Sequence, residues 1–391
     1  MNSGNQTNSY YFFLVTPTHL EDVVLEELRA WLPDARAEVV KGGIELETDL
    51  AHGLELNRVL KTPTRILLRL ADFGCRDFPK LFRKISGFPW EEWLDQSAAV
   101  EFSVSTHTSR LRMKKRIEET CKDGYRARLK KQRATAGATS QTLAKAGSTE
   151  PVSIFVRFVD DVCTLSLDTS GEILHKRGLR PMTADAPLRE TLAATLLLLL
   201  ERESGGASTG IELVDPMMGG GTFLLEARDL RQTITSRAFA FESPALAPLK
   251  KRAEPGVTLK CDRPSSITSL VGYEADEKTW RAAKTNLGED RAELHCQDFF
   301  AAGALPPGPQ RWLIANPPYG ERLKVQGSLA DFYARLFAQA EKVASPEAAL
   351  FLLPSKVSGG RLRVPAAWRK VAERNFSNGG LPVTAHIFAR R

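Results

Sequence analysis

The chain has 391 residues, long for one domain and suited to two or three, and 42% of them are hydrophobic, enough for more than one core. A net charge of +7 points to an anionic partner, either nucleic acid or an anionic membrane surface. The five cysteines, Cys75, Cys121, Cys163, Cys261 and Cys296, form no CxxC pair, which argues against a disulfide framework or a zinc ribbon and fits a reduced cytoplasmic protein.

In chain order, MNSGNQTNSYYFFLV lacks the basic start and long apolar core of a signal peptide, so none is expected. Tyr10 to Thr16 is the first expected strand. HLEDVVLEELRAWL follows with Leu20, Val23, Val24, Leu28 and Trp31 at helical spacing. AEVVKGGIELET reads as two strands around Gly42-Gly43, AHGLELNRVLKT as a helix and RILLRLADF as a strand. This order suits a small α+β layer of ferredoxin-like type over residues 1–65. Residues 66–170 repeat the alternation: KLFRKISGFPWEEWL as a helix, AVEFSVST as a strand, PVSIFVRFVDDVCTLSLDTSG as a hairpin. Between strand and hairpin, residues 110–133 hold 11 Lys/Arg against 3 acids. The small, polar ATAGATSQTLAKAGSTE after them is expected to be a mobile loop.

After Gly171, strands and helices alternate as in a parallel α/β sheet. PLRETLAATLLLLLERE is a helix opened by Pro187, and its run Leu196 to Leu200 is far too short to span a bilayer. GIELVDP, SLVGYEAD, AELHCQD, RWLIANPP and EAALFLLP are the expected strands; TFLLEARDLRQTI, EKTWRAAKTNL and LADFYARLFAQAEKV are the helices. The end of the chain reads as two antiparallel strands around Asn378-Gly379-Gly380.

The chemistry collects at the strand ends. Asp215 and Pro216 close one strand, then Met217, Gly219, Gly220, Gly221 and Thr222 turn into a helix. Glycines there permit positive φ and close backbone approach, and helix amides face whatever binds. A dinucleotide fingerprint needs a third glycine at Leu224, and no phosphate-gripping lysine follows, so neither a dinucleotide nor a Walker A site is indicated. Glu274, with Asp276 two residues on, ends the next strand and can accept both hydroxyls of a ribose. Asp298 ends a third, able to accept from an adenine amine, with Phe299 beside it to cover the ring. The ligand suggested is an adenosine without phosphates, S-adenosylmethionine. Each acid taken alone also fits a solvated loop carboxylate. His295 and Cys296 have no further ligands at metal-binding spacing, so no metal is expected.

The fourth strand stops on Asn316-Pro317-Pro318-Tyr319, because proline removes a ladder donor. The Asn316 side-chain carbonyl and the Pro317 backbone carbonyl can hold both hydrogens of a planar exocyclic amine, drawing its lone pair out of conjugation for attack on a methyl group. Tyr319 can stack on the base, and Asn316 also borders the cofactor. The chain resembles the THUMP-domain RNA guanine-N2 methyltransferases of the bacterial 23S rRNA type. The resemblance rests on LHKRGLRPMTADAPLRETLAATLL, DPMMGGGTFLLEA, FAFE, GYEAD and NPPYGERL, in order and spacing. The family usually carries Cys where this chain has Met218, and Ser where it has Gly220. The resemblance implies a ferredoxin-like layer, a THUMP RNA-binding domain over 66–170, and a Rossmann-like class I methyltransferase domain with a terminal hairpin over 171–391.

Within the basic stretch, Arg110, Arg112, Lys114, Lys115, Arg116, Arg126, Lys130 and Lys131 are the candidate RNA contacts, with Tyr125 interleaved; the alternative is a solvated helix face. The stretch lacks the apolar stripe of a membrane-surface helix. His175, Lys176, Arg177 and Arg180 could contact RNA or cap the linker, and Glu321 with Arg322 could order the loop after Tyr319. The expected function is S-adenosylmethionine-dependent methylation of a guanine N2, in 23S rRNA. A tRNA substrate, or a non-catalytic THUMP RNA-binding protein, are the alternatives.

Overall fold

The computed structural model describes residues 9–135, 150–178, 188–205, 210–288, 292–317, 329–355 and 364–391. In the N-terminal half the elements run β1 (Tyr10–Val15), α1 (Glu21–Trp31), β2 (Arg36–Val40), β3 (Gly43–Thr48), α2 (Leu50–Val59), β4 (Arg65–Gly74), α3 (Phe78–Gly87), β5 (Val100–His107), α4 (Lys114–Thr135), β6 (Val152–Val159) and β7 (Val162–Asp168). The strands form one seven-stranded sheet in the order β2-β3-β1-β4-β7-β6-β5, in which only β5 and β6 are parallel. Strand alternation turns Phe12, Leu14, Ile66, Leu68, Ile154, Val156, Leu165 and Leu167 to one face, all buried in a single core. The ten-residue β4 pairs with β1 over Arg65–Leu68 and with β7 from Leu67 to Gly74. The expected ferredoxin-like and THUMP strands are therefore hydrogen-bonded into one sheet.

Asp49 caps α2 by accepting from the His52 amide, and Asp77 caps α3 by accepting from the Lys80 amide. The helix expected to continue through Leu94 stops at Gly87. Pro89 follows and excludes α-backbone before it, and a short 3₁₀ turn, Trp90–Glu92, takes up the remainder. Most of the loop expected to be mobile, residues 136–149, lies outside the described residues.

The C-terminal half contributes α5 (Glu190–Glu203), β8 (Ile211–Asp215), α6 (Thr222–Asp229), α7 (Ala247–Arg252), β9 (Ile267–Glu274), α8 (Glu277–Leu287), β10 (Glu293–Cys296), β11 (Arg311–Ala315), α9 (Leu329–Val343), β12 (Ala348–Pro354), β13 (Trp368–Asn378) and β14 (Leu381–Arg390). Its sheet runs β10-β9-β8-β11-β12-β14-β13, the first five strands parallel and β14 antiparallel to both its neighbours. This is a Rossmann-like α/β sheet with a terminal hairpin, and Gly379 and Gly380 supply the positive φ its turn needs. Leu196 to Leu200 of α5 are all buried, so the leucine run is a helix enclosed on every side.

α6 is shorter than its sequence pattern suggested. It ends at Asp229, and residues 230–266 leave the sheet to strap the two halves together. The Ile234 amide donates to the Arg58 carbonyl at 2.7 Å, and the Asp95 amide to the Ala245 carbonyl at 2.9 Å. Phe239, Phe241, Leu246 and Leu249 bury themselves in the core of the N-terminal half. The Arg237 guanidinium donates to the carbonyls of Ser170, Glu172, Ile173 and Lys176, at 2.8 to 3.1 Å.

Candidate active site

Because β10, β9, β8 and β11 are adjacent and parallel, their carboxyl ends share one rim. Asp215, Glu274, Asp298 and Asn316 stand at or just beyond those four ends. The chain leaves β8 toward β9 and β10 on one side, then crosses back to place β11 on the other. The glycine turn after β8 thus opens at the crevice where such sheets bind ligands.

The turn is built on left-handed backbone: Gly219 has φ +55° and Gly221, the N-cap of α6, φ +82°. A side chain at Gly219 would meet no described atom within 4 Å, so the space above it is open. The Glu274 carboxylate accepts from the Gly219 amide at 3.1 Å and from the Asp276 amide at 2.9 Å, which ties the second strand end to the turn. Asp215 is only 1% exposed. Its Oδ1 accepts from the Met217 amide at 3.1 Å. Burial, against the Met217 amide and with the Glu274 charge adding to it, pushes the Asp215 carboxyl up to about 8. A buried carboxyl held in this way suits a cationic ligand, whose charge would favour its ionised form. Pro216 is buried, Met217 packs partly buried on the core, and Thr222 is buried in the first turn of α6.

Met218 turns away from the rim. It is buried in the second core, and any Cβ on Gly272 of β9 would come within 2.4 Å of its sulfur. Its bulk is thus accommodated in packing by a strand glycine. The Gly220 carbonyl accepts from the Asn286 side chain at 3.2 Å.

One expectation needs correction. Phe299 is 1% exposed and packs edge-on against Tyr273, so it is a core residue and no open lid for a base; the tight turn after Asp298 drives it inward. Asp276 caps α8, accepting from the amide and hydroxyl of Thr279 at 2.8 and 2.7 Å, and these bonds hold its carboxyl below the usual range. Asp298 likewise accepts from the Phe300 amide, at 3.0 Å, and remains exposed. His295 stacks on Tyr273 at 4.6 Å between centroids, and among the described residues no group of three or more His, Cys, Asp or Glu could hold a metal. Asn316 is half-buried and Pro317 buried at the β11 end; Pro318, Tyr319, Gly320, Glu321 and Arg322 lie outside the described residues.

On the N-terminal half, Arg110, Arg112, Lys114, Lys115, Arg116, Arg126, Lys130 and Lys131 are all exposed on α4 or just before it. Arg116 lies over the Phe78 ring at 4.2 Å, and Arg126 is 3.4 Å from Asp123. Tyr125 is the correction here. It is 6% exposed, packed edge-on against Trp90 and Phe102, and burial pushes its phenol up to about 12. A buried tyrosine of this kind is a core residue and stacks on no RNA base.

In the linker, Arg177 fits neither reading of the basic residues. Lys176 is exposed and 2.6 Å from Glu172, whereas Arg177 is fully buried, its Nε 3.2 Å from Glu226 Oε1. The buried pair was not visible in the sequence, since nothing local marks Glu226, inside a helix buried from Thr222 to Ala227, as its partner. Arg180 lies outside the described residues.

Residues 177–383, more than half of the chain, match the family profile described as RMKL-like, methyltransferase domain. The chain belongs to this RMKL-like methyltransferase domain family. A curated relative, the ribosomal RNA large subunit methyltransferase K/L of Pseudomonas aeruginosa, is 32% identical over 84% of this chain and 46% of its own length. The chain spans about half the length of the K/L relatives it matches. Among solved structures, a possible methylase from Clostridium difficile 630 superposes with a TM-score of 0.79 at 23% identity, over 98% of this chain and 99% of the other. The methyltransferase SMU.472, solved in complex with SAH, superposes at 0.74 and 23% identity, over 98% of both chains. Both structural likenesses establish the fold of the RMKL-like chain from end to end. No described helix is long and apolar enough to cross a membrane.

Proposed function

We propose that this chain is an S-adenosylmethionine-dependent RNA methyltransferase acting on the exocyclic N2 amine of a guanine, in 23S rRNA. The observation that carries the reading is the shared rim: the glycine turn with Glu274 and Asp215 on one side of the switch point, and Asn316-Pro317 on the other. The residues fit the cofactor by their chemistry. Glu274 can accept from ribose hydroxyls while still holding the Gly219 amide, and the buried Asp215 carboxyl suits a positive charge. When bound, the cofactor supplies the methyl group.

The chain's own residues do the rest. The Asn316 side-chain carbonyl and the Pro317 carbonyl accept the two amine hydrogens and orient the nitrogen lone pair out of the ring plane. The rigid proline backbone fixes that geometry in advance. The leaving thioether is neutral, so the amine proton can depart after transfer. The N-terminal half, read as a ferredoxin-like layer and a THUMP unit, offers the exposed cations of α4 to RNA phosphates, which position the RNA and carry little sequence information. A paired target base must be flipped out to reach the rim. The K/L relatives, named for the large-subunit ribosomal RNA, favour 23S rRNA over tRNA.

Methyl transfer from labelled S-adenosylmethionine to separated 23S rRNA, 16S rRNA and tRNA, taken from cells lacking this protein, tests the proposal. N2-methylguanosine in 23S rRNA alone is the expected product by nucleoside mass spectrometry. The same product confined to tRNA would overturn the substrate, and a different methylated nucleoside would overturn the chemistry.

A further inference from the structure

The Arg177–Glu226 pair sits where the linker crosses between the two halves, and neither charge belongs to the rim. Its side chains are 0% and 2% exposed. The Arg177 Nη2 donates to the Lys61 carbonyl at 2.5 Å, so the guanidinium grips the end of α2 with one edge and α6 with the other. The Lys61–Thr62 peptide is clamped from its other side as well: Glu27 of α1 accepts from the amides of Lys61 and Thr62 at 2.8 and 3.0 Å, and from the Thr62 hydroxyl. Three residues further, Arg65 opens β4, the strand that both N-terminal units share. On the other side, Glu226 stands one helical turn after Thr222, on the same face of α6 as that residue, where the glycine turn ends. Ser236 of the strap donates to the Arg177 carbonyl, and Arg237 holds the preceding linker carbonyls.

We infer that Arg177 is a positioning residue, which fixes the RNA-gripping half relative to the glycine turn and so sets where a gripped RNA presents its base. The inference rests on the proposed RNA methylation. Cations on α4 hold RNA at a distance from Asn316, and an amine must come within reacting range of a methyl group. A misplacement of about 1 Å lowers such rates by about a hundredfold. A lysine at 177 would keep the charge but lacks the planar fork that reaches both Lys61 and Glu226.

The test compares wild type, Arg177→Lys, Arg177→Met and the double variant Arg177→Met/Glu226→Leu. The double variant removes both members of the pair, with the buried Lys61 left in place, and carries the test if Arg177→Met alone does not fold. Affinity for S-adenosylmethionine, affinity for 23S rRNA, and turnover per cofactor-binding site are measured for each. The expected result is both affinities within twofold of wild type, with kcat per binding site down at least tenfold in Arg177→Met and in the double variant, and partly restored in Arg177→Lys. Unchanged kcat per site would overturn the inference, leaving the pair a stability element. A fall in cofactor affinity that accounts for the lost turnover would also overturn it, placing the effect in the glycine turn itself. Absence of transfer by the wild type would overturn the proposed reaction, and this inference with it, before any variant is read.

Discussion

Asp215 is legible in the sequence as a strand-end acid, but not as a carboxyl pushed up to about 8 by burial. Unfolded, it ionises in the ordinary carboxylate range. Between that range and about 8 the folded chain keeps a proton that the unfolded chain has lost, so the stability it contributes at low pH is lost progressively as pH rises through that window. Asp215→Asn keeps an acceptor for the Met217 amide and removes the ionisation. The variant's melting temperature should exceed that of wild type increasingly from pH 5 to pH 8, by roughly 2–4 °C for each kcal/mol recovered in a domain of this size. S-adenosylmethionine binding should weaken at the same time, a gain in stability at the expense of the site. A melting difference that stays constant with pH would show Asp215 ionised throughout. Asn316→Ala separates two roles at the neighbouring strand end. Turnover should fall by roughly a hundredfold or more, as when one preorganised polar partner is removed, while cofactor affinity stays within about twofold. Lost cofactor binding in a folded variant would make Asn316 a binding residue first. The strand-end residues were readable because glycine, proline and acid at such positions violate what a plain strand requires. The capping role of Asp276 and the burial of Phe299 were not, since both depend on how the next turn closes.

At the scale of elements, α4 (Lys114–Thr135) is a helix with a buried seam and a basic outer face. Ile117, Cys121 and Tyr125 recur every four residues and are all buried, and burial raises the Cys121 thiol to about 12, leaving it an inert core group. Lys114, Lys115 and Arg116 open the helix and are exposed. Replacing all three by glutamine should weaken RNA binding and reduce the slope of log affinity against log salt by about 2, at roughly 0.7 per phosphate contact on single strands. An unchanged slope would return that end of the helix to simple solvation. The alternation of strands and helices, and the terminal hairpin, followed from local periodicity and turn residues. The sharing of β4 between β1 and β7 did not, because pairing partners are chosen by tertiary packing and no local pattern encodes them. The early end of α6 has the same cause: Ile234 gives its amide to Arg58 of the other half, a bond no helical pattern foretells.

At the scale of the whole molecule, the strap is an insertion between α6 and β9 whose apolar residues belong to the other half's core. Arg58 pairs with Glu242, and Arg252 lies 2.8 Å from Glu92 and over the Trp93 ring. Halves joined by a buried ion pair, a shared core and backbone hydrogen bonds should melt together, although chains of this length often do not. Arg237, which also lies over the Phe239 ring at 5.1 Å, is the residue on which that coupling can be tried without touching the rim. Each hydrogen bond from a charged group contributes about 1.5–3 kcal/mol, but carbonyls freed at a half-exposed site recover water, so the four together are worth only about 3 kcal/mol. Calorimetry on wild type should give one transition, with calorimetric and van't Hoff enthalpies equal. Arg237→Ala should separate it into two, the less stable half melting earlier and the other close to the original temperature. A single transition lowered as a unit would mean that the Arg177–Glu226 pair and the buried phenylalanines suffice to couple the halves, and that Arg237 merely stabilises the linker it holds.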